Sequence, residues 1–396
     1  MIGAGIFAAF TPASQAAGTG LLIGLVIAAI VAYCNASASA QLAAVYPTSG
    51  GTYVYGRAQL GEWWGFLAGW SFVIGKIASC AAMALTFATY VAPSGQERPV
   101  AVAAVIGLTA VNYRGVTRTA LLTKIIVVVV LSALTVVVAS SSTGLPKSSW
   151  MDPRNLVAHG WYGIFQSAGL LFFAFAGYAR IATMGEEVRN PARTIPAAIT
   201  IALTLAVFVY GIVGITVLGR LGANEVAASA APLAATVRAS GWAWASPIVR
   251  IGGAAASLGA LLALIAGIGR TSLAMAREDD LPSWLSAVHP RFKVPHRAEA
   301  VLAIIVSILV MTVDLRGAIG FSSFGVLLYY FIANLAAFTQ PQEQRRYPKT
   351  LQVLGGIGCL VLVATLPSLA IIIGIGVLIM GVAYRFAVKH RLHGVD

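Results

Sequence analysis

Long stretches of this chain run without a single Asp, Glu, Lys or Arg, among them residues 125 to 146, 155 to 179, 194 to 219, 317 to 342 and 350 to 384. Each is longer than the ~20 residues that carry a helix across a ~30 Å hydrocarbon core. Soluble proteins carry about 25% charged residues; this chain of 396 has 10%, with 59% hydrophobic residues and a mean hydropathy of +0.85. A soluble globule is excluded. An all-α membrane protein remains, because helices satisfy their own backbone groups where lipid cannot.

Spans fall near 20 to 45, 63 to 93, 99 to 113, 120 to 140, 160 to 182, 195 to 218, 247 to 273, 299 to 313, 317 to 339, 350 to 366 and 368 to 387, after a short apolar start at 1 to 18. Alternating the loops sorts the 26 Lys and Arg into 18 on one side and seven on the other, with Lys76 inside a span. The positive-inside rule then puts the richer side and the C-terminus in the cytoplasm, the host bilayer being the plasma membrane. The net charge of +13 is therefore mostly topology and calls for no nucleic acid partner. Cys34, Cys80 and Cys359 sit in apolar runs without metal-ligand spacing, which points to packing and to no metal site or disulfide framework.

Residues 1 to 18 are too short to cross at ~1.5 Å per residue, yet a full span follows them. No basic region precedes Gly3, which argues against a cleaved signal peptide. The expectation is that the natural protein begins upstream of Met1, with about ten to fifteen residues of apolar half-helix and a short cytoplasmic tail.

Interrupted helices at matching positions in two halves are the sequence mark of a transporter site. In Gly3-Ala4-Gly5-Ile6-Phe7, two glycines in three residues make helix continuation expensive. In Phe172-Phe173-Ala174-Phe175-Ala176-Gly177-Tyr178, Gly177 can break a charge-free run near its far end. The two lie about 171 residues apart, and the spans after them about 175. Two five-helix halves follow, 1 to 140 and 160 to 339, joined by an extracellular loop at 141 to 159 and trailed by two helices and a cytoplasmic tail in 340 to 396. The competing reading of such glycines is close helix packing.

The opening Ile2-Gly3-Ala4-Gly5-Ile6-Phe7, the loop from Tyr46-Pro47 to Thr52-Tyr53, and the run from Phe175 through Tyr178 to Glu186-Glu187-Val188-Arg189-Asn190-Pro191 resemble the amino acid, polyamine and organocation (APC) transporter superfamily. So does Arg270 through Ala274-Met275-Ala276-Arg277 to Leu281-Pro282 and His289-Pro290. The resemblance implies a LeuT-type fold: ten helices in two inverted repeats plus two peripheral ones, about 12 membrane segments with the first truncated.

That family's substrate fits the physical reading of the two breaks. A helix restarting after Gly5 presents unpaired N–H groups and the positive end of its dipole, which favour a carboxylate, and Gly3, Ala4 and Gly5 offer little side chain to block it. The break at Gly177 frees the carbonyls of Phe173, Ala174, Phe175 and Ala176 for an ammonium group. By resemblance, Phe173 lies over the substrate as an occlusion gate, its alternative role being a core or lipid aromatic. Side-chain selectivity is expected from the third, eighth and tenth helices.

Charges inside spans are costly and mark functional candidates. Lys76, fourteen residues past Glu62, stands roughly 21 Å along its helix. With no acidic residue firmly within any span, it must shed its proton or meet an anion, helix-end carbonyls or water. It is either a proton-carrying or sodium-substituting group beside the cavity or a structural hydrogen bond. Some proton-coupled relatives have a mid-helix lysine in the fifth span, where this chain has Val130, with Lys124 nearer the cytoplasmic end as an interfacial anchor. Some exchangers carry a glutamate just after the sixth-helix break, where Ala179 and Arg180 stand. Sodium-coupled relatives use eighth-helix hydroxyls, for which Ser257 is the counterpart; proton coupling or exchange is favoured over sodium.

Glu186 and Glu187 are expected near Arg270 and Arg277, as a cytoplasmic gate or as an ordinary solvated loop, since exposed pairs contribute only about 0 to 1 kcal/mol. Arg57, Tyr53, Tyr55, Trp63 and Trp64 read as an interfacial helix of anchors. No H-E-x-x-H or G-x-S-x-G motif supports an enzyme, and no cofactor is expected. The function so read is a permease for amino acids or related amines; the alternatives are a non-transporting amino acid sensor and a polyamine or organocation transporter.

Overall fold

A computed structural model of the chain describes residues 2–47, 50–115, 120–143, 153–178 and 188–393. Among these residues all regular structure is helical. The chain opens with α1 (Gly5–Ala8) and α2 (Phe10–Ala17), which Gly18 ends by turning to φ 57, a conformation glycine adopts without strain. There follow α3 (Leu21–Val45), the short α4 (Thr52–Leu60), α5 (Glu62–Val91), α6 (Glu97–Tyr113) and α7 (Ala120–Ser140). The second half runs α8 (Gly160–Phe175), α9 (Pro191–Leu221), α10 (Ser246–Arg277), α11 (His296–Thr312) and α12 (Leu315–Thr339), and α13 (Lys349–Thr365) and α14 (Ser368–His393) complete it. Each of the eleven spans read from hydropathy overlaps one of these helices, the one at 160 to 182 only through Gly160–Phe175, its residues 179 to 182 lying outside the described residues. Where a polar residue sits at a boundary it marks the start: the Asp314 carboxylate accepts from Gly317 N–H at 2.8 Å, capping α12.

Among the described residues, seven helical segments are long and apolar enough to cross a membrane. The outer faces of these and the neighbouring helices are apolar: Val26, Val128, Phe208, Ile251, Ile304, Ile357 and Ile372 are large and exposed. Such a continuous apolar exterior belongs in lipid. α5 is the innermost strut. Its 30 residues extend roughly 45 Å, and it packs chiefly on α10 and α12. It meets α12 where Gly75 faces Gly325: a Cβ on Gly325 would lie 2.6 Å from Ser71 O and 2.8 Å from Gly75 Cα. Without a hydrophobic force between helices in lipid, such small-residue crossings bring backbones into close contact.

α13 is keyed to the core by buried polar contacts, with Asn334 Nδ2 donating to Asn35 Oδ1 at 2.6 Å and Cys359 Sγ donating to the same oxygen at 3.3 Å. Cys34, Cys80 and Cys359 are all buried and unpaired as thiols. Tyr53 and Tyr55 on α4 depart from the anchor role. Both are buried, and the Tyr53 hydroxyl donates to Asp280 Oδ2 at 2.9 Å. Burial pushes the Tyr53 phenol up, which keeps it a donor. The α4 helix is thus folded into the protein rather than laid on the membrane surface, although Trp64 beside it is exposed.

Candidate functional site

The helical restart at Gly5 and the end of α8 at Phe175 face each other across a close crossing, where Gly5 meets the backbone and methyl group of Ala174. A Cβ on Gly5 would stand 2.5 Å from Ala174 Cα, so only glycine permits this approach. On the first strand of this crossing, the intrahelical bonds begin with Phe7 N–H and Ala8 N–H donating to Ala4 O, at 3.0 and 3.1 Å. The N–H groups of Ala4, Gly5 and Ile6 lie ahead of them, and no side chain caps the start. On the second strand, Ala176 N–H donates to Phe172 O and residues Ala176–Tyr178 tighten into a single 3-10 turn.

Beside the crossing lies a cavity of about 240 Å³. That is just below the ~300 Å³ lower bound of ordinary small-molecule pockets. Both interruptions contribute to its wall, through Ile2, Gly3, Ala4 and Gly5 on one side and Phe173, Ala174, Ala176 and Gly177 on the other. Of the remaining residues singled out in the sequence, Ile6 and Phe175 are buried behind this wall, Phe175 against Tyr210 at 5.1 Å between ring centroids. The side chain of Tyr178, with Glu186 and Glu187, lies outside the described residues.

Lys76 reaches the cavity from α5. Only 5% exposed, its Nζ donates to Ala176 O at 3.3 Å. Of the four ways open to a buried lysine, this is the helix-end carbonyl: the partial negative charge at the end of α8 faces the ammonium. The Tyr210 hydroxyl donates to Ala174 O at 3.1 Å. Two of the four carbonyls expected to be free are therefore already engaged by side chains of the protein. The first interruption has a similar brace farther along, where the Tyr90 hydroxyl donates to Phe7 O at 3.3 Å and the two rings meet edge to face.

Ser257 is not part of the wall. Its hydroxyl is fully buried and donates to Gly253 O of its own helix at 2.8 Å, and the neighbouring Ala256 lines the cavity instead. The rest of the wall is drawn from the expected third and eighth spans and from one that was not expected. α5 contributes Phe72, Ser79 and Met83, α10 contributes small and aliphatic residues from Ala256 to Ile268, and α7, the fifth span, contributes Thr123, Ile126 and Val127. The tenth span, α12, acts one layer out through Ser322, whose hydroxyl is 2.6 Å from that of Ser79.

Arg270 and Arg277 are both exposed at the end of α10. The ion cluster at this end of the bundle is built on other residues. Asp280, 3% exposed, pairs with Arg385 of α14, 2% exposed, and with Arg57 of α4 at 3.1 Å. Arg57 also meets Glu278 at 3.1 Å, and Lys389 meets Glu62 at 2.5 Å. The Arg385 guanidinium lies over Trp63 and Phe66, 4.9 and 4.8 Å from the ring centroids.

A family model described as amino acid permease matches residues 1–390. An uncharacterized transporter of Mycobacterium tuberculosis is 58% identical over 384 residues, which cover 97% of this chain and 87% of the relative. A branched-chain amino acid permease of Bacillus subtilis is 25% identical over 395 residues, covering 94% and 83%. A cationic amino acid transporter of Arabidopsis thaliana is 27% identical over 367 residues, covering 85% of this chain and 62% of its own length.

Proposed function

This chain belongs to the amino acid permease family, a multi-pass membrane transporter of APC type, and on that premise we propose that it moves amino acids across the plasma membrane by alternating access around the cavity between its two interrupted helices. The observation that carries this reading is the convergence of both interruptions, Gly3 to Gly5 and Phe173 to Gly177, on one cavity. The uncapped N–H groups before Phe7 suit the substrate carboxylate, and the carbonyls ending α8 suit its ammonium. Phe173, in the wall and 6% exposed, is the occluding aromatic. The halves 1 to 140 and 160 to 339 are the units that move against each other, and the C-terminus is cytoplasmic.

The coupling ion in this reading is the proton, carried by Lys76. The lysine touches the cavity and the end of α8 at once, so gain or loss of its proton changes the contact that fixes that helix end. The ionisable side chain nearest along α5 is Cys80, one turn on and buried. The Ser257 hydroxyl, turned into its own helix, gives no support to a sodium site.

Purified protein in liposomes tests the reading. Accumulation of a labelled amino acid driven by an imposed pH gradient is the expected result. Binding without any flux or exchange would instead favour a sensor, and neither binding nor flux across a full amino acid panel would remove the proposal.

A further inference from the structure

We infer that this cavity rejects cationic substrates and accepts zwitterions with uncharged, apolar side chains, with Lys76 as the residue that enforces the choice; the inference rests on the reading of the cavity as the amino acid site. The wall is drawn from residues 2 to 5, 72 to 83, 123 to 127, 173 to 177 and 256 to 268. Each of these segments falls within a stretch of sequence that has no acid: 1 to 61, 63 to 96, 98 to 151, 153 to 185 and 226 to 277 contain neither Asp nor Glu. Among the described residues the wall therefore holds no carboxylate to receive a guanidinium or a second ammonium. Such a group would be stripped of water with no anion to replace it.

Lys76 makes the exclusion active. It is the one ionisable side chain among those in the described wall, and it already donates to Ala176 O at 3.3 Å, an acceptor that an additional ammonium would need. A second cation in this space stands within a few ångströms of the first, where salt screens little. A zwitterion adds no net charge, and its carboxylate supplies the anion that the wall does not. Beyond the backbone ends the surface is apolar, with Phe72, Met83, Ile126, Phe173, Leu264 and Ile268 available to cover an aliphatic or aromatic side chain.

The test is a competition and uptake panel on the full chain in proteoliposomes, using L-alanine, L-leucine, L-arginine, L-lysine, L-glutamate and putrescine, with wild type and Lys76→Gln. The glutamine keeps a hydrogen-bond donor for Ala176 O but no charge, and size-exclusion chromatography confirms that the variant is folded. The neutral amino acids should bind best, with arginine, lysine and putrescine weaker by on the order of 100-fold. In Lys76→Gln that gap should shrink to under about 10-fold. Arginine or putrescine within about 10-fold of leucine in the wild type would overturn the inference while leaving the permease reading intact. Glutamate as the best ligand, or an unchanged gap in a folded Lys76→Gln, would do the same. If no compound binds or moves, the amino acid site itself is wrong and the inference falls with it.

Discussion

At the first interruption the N–H groups of Ala4, Gly5 and Ile6 precede any intrahelical bond, whereas at the second the carbonyls of Ala174 and Ala176 are held by Tyr210 and Lys76. Donors are left open and acceptors are rationed. The contrast follows from what each end can tolerate. A helix start walled by glycine and alanine needs no further support when a carboxylate is to arrive, but an unravelled helix end in a dry interior carries several orphan carbonyls at once. Two side chains from neighbouring helices cover part of that deficit. One of them is itself an amine, so under the proposed reading a substrate ammonium would enter a region where the protein has already placed one of its own.

The largest effect is expected where the two interruptions touch. Gly5→Leu forces a side chain into Ala174, whose Cα is 2.5 Å from the Cβ position. It should abolish substrate binding and also cost stability, by about 1–3 kcal/mol for overpacking alone. Gly5 is therefore a joint test of packing and binding, and unchanged affinity in a folded variant would break the pairing of the two ends at one site. Next, Lys76→Met removes the amine from the second interruption only. Uptake should lose its pH dependence while exchange of preloaded substrate persists; retention of the wild-type pH profile would dismiss lysine as the proton carrier.

Tyr210→Phe and Tyr90→Phe sharpen the comparison, because they remove one hydroxyl from each strand. Each should lower stability by about 1 kcal/mol. Only Tyr210→Phe, which releases a carbonyl of the cavity wall, should also shift substrate affinity by a few-fold; equal affinity changes in both variants would mean that the hydroxyls act through packing alone. The smallest effect belongs to Ser257→Ala, whose hydroxyl serves its own helix. Stability should move by less than about 0.5 kcal/mol, and uptake should remain independent of sodium, as measured by replacing sodium with choline.

The spans and both interruptions were legible because hydropathy and glycine are local signals, carried by consecutive residues. Lys76 was legible for the same reason, as a lone charge in an apolar run. What could not be read was the company these residues keep. Tyr210 lies 36 residues beyond the carbonyl that it covers and Tyr90 lies 83 beyond its own, and nothing in an ordinary membrane tyrosine marks it as a brace. The α10 wall is made of alanine, glycine and aliphatic residues that carry no distinguishing chemistry. The expected grouping of Glu186 and Glu187 with Arg270 and Arg277 involves glutamates outside the described residues. The buried pair of Asp280 and Arg385 was not legible, because its members lie 105 residues apart.

That pair also has a mechanical consequence. α14 is the last helix and exposes much of its length to lipid, with Leu369, Ile372, Ile379 and Met380 all uncovered, so by packing alone it would be a passive flank. Its C-terminal end, however, is joined through Arg385 and Lys389 to Asp280 after α10 and to Glu62 at the start of α5. The start of α5, the end of α10 and the foot of α14 are thereby tied into one frame. In the proposed alternating-access cycle, a rocking that opens this face would carry the three together while the interrupted helices swing past them. Distance measurements between labels on α5 and α14 should accordingly stay constant through the transport cycle, while those from α5 to α8 change.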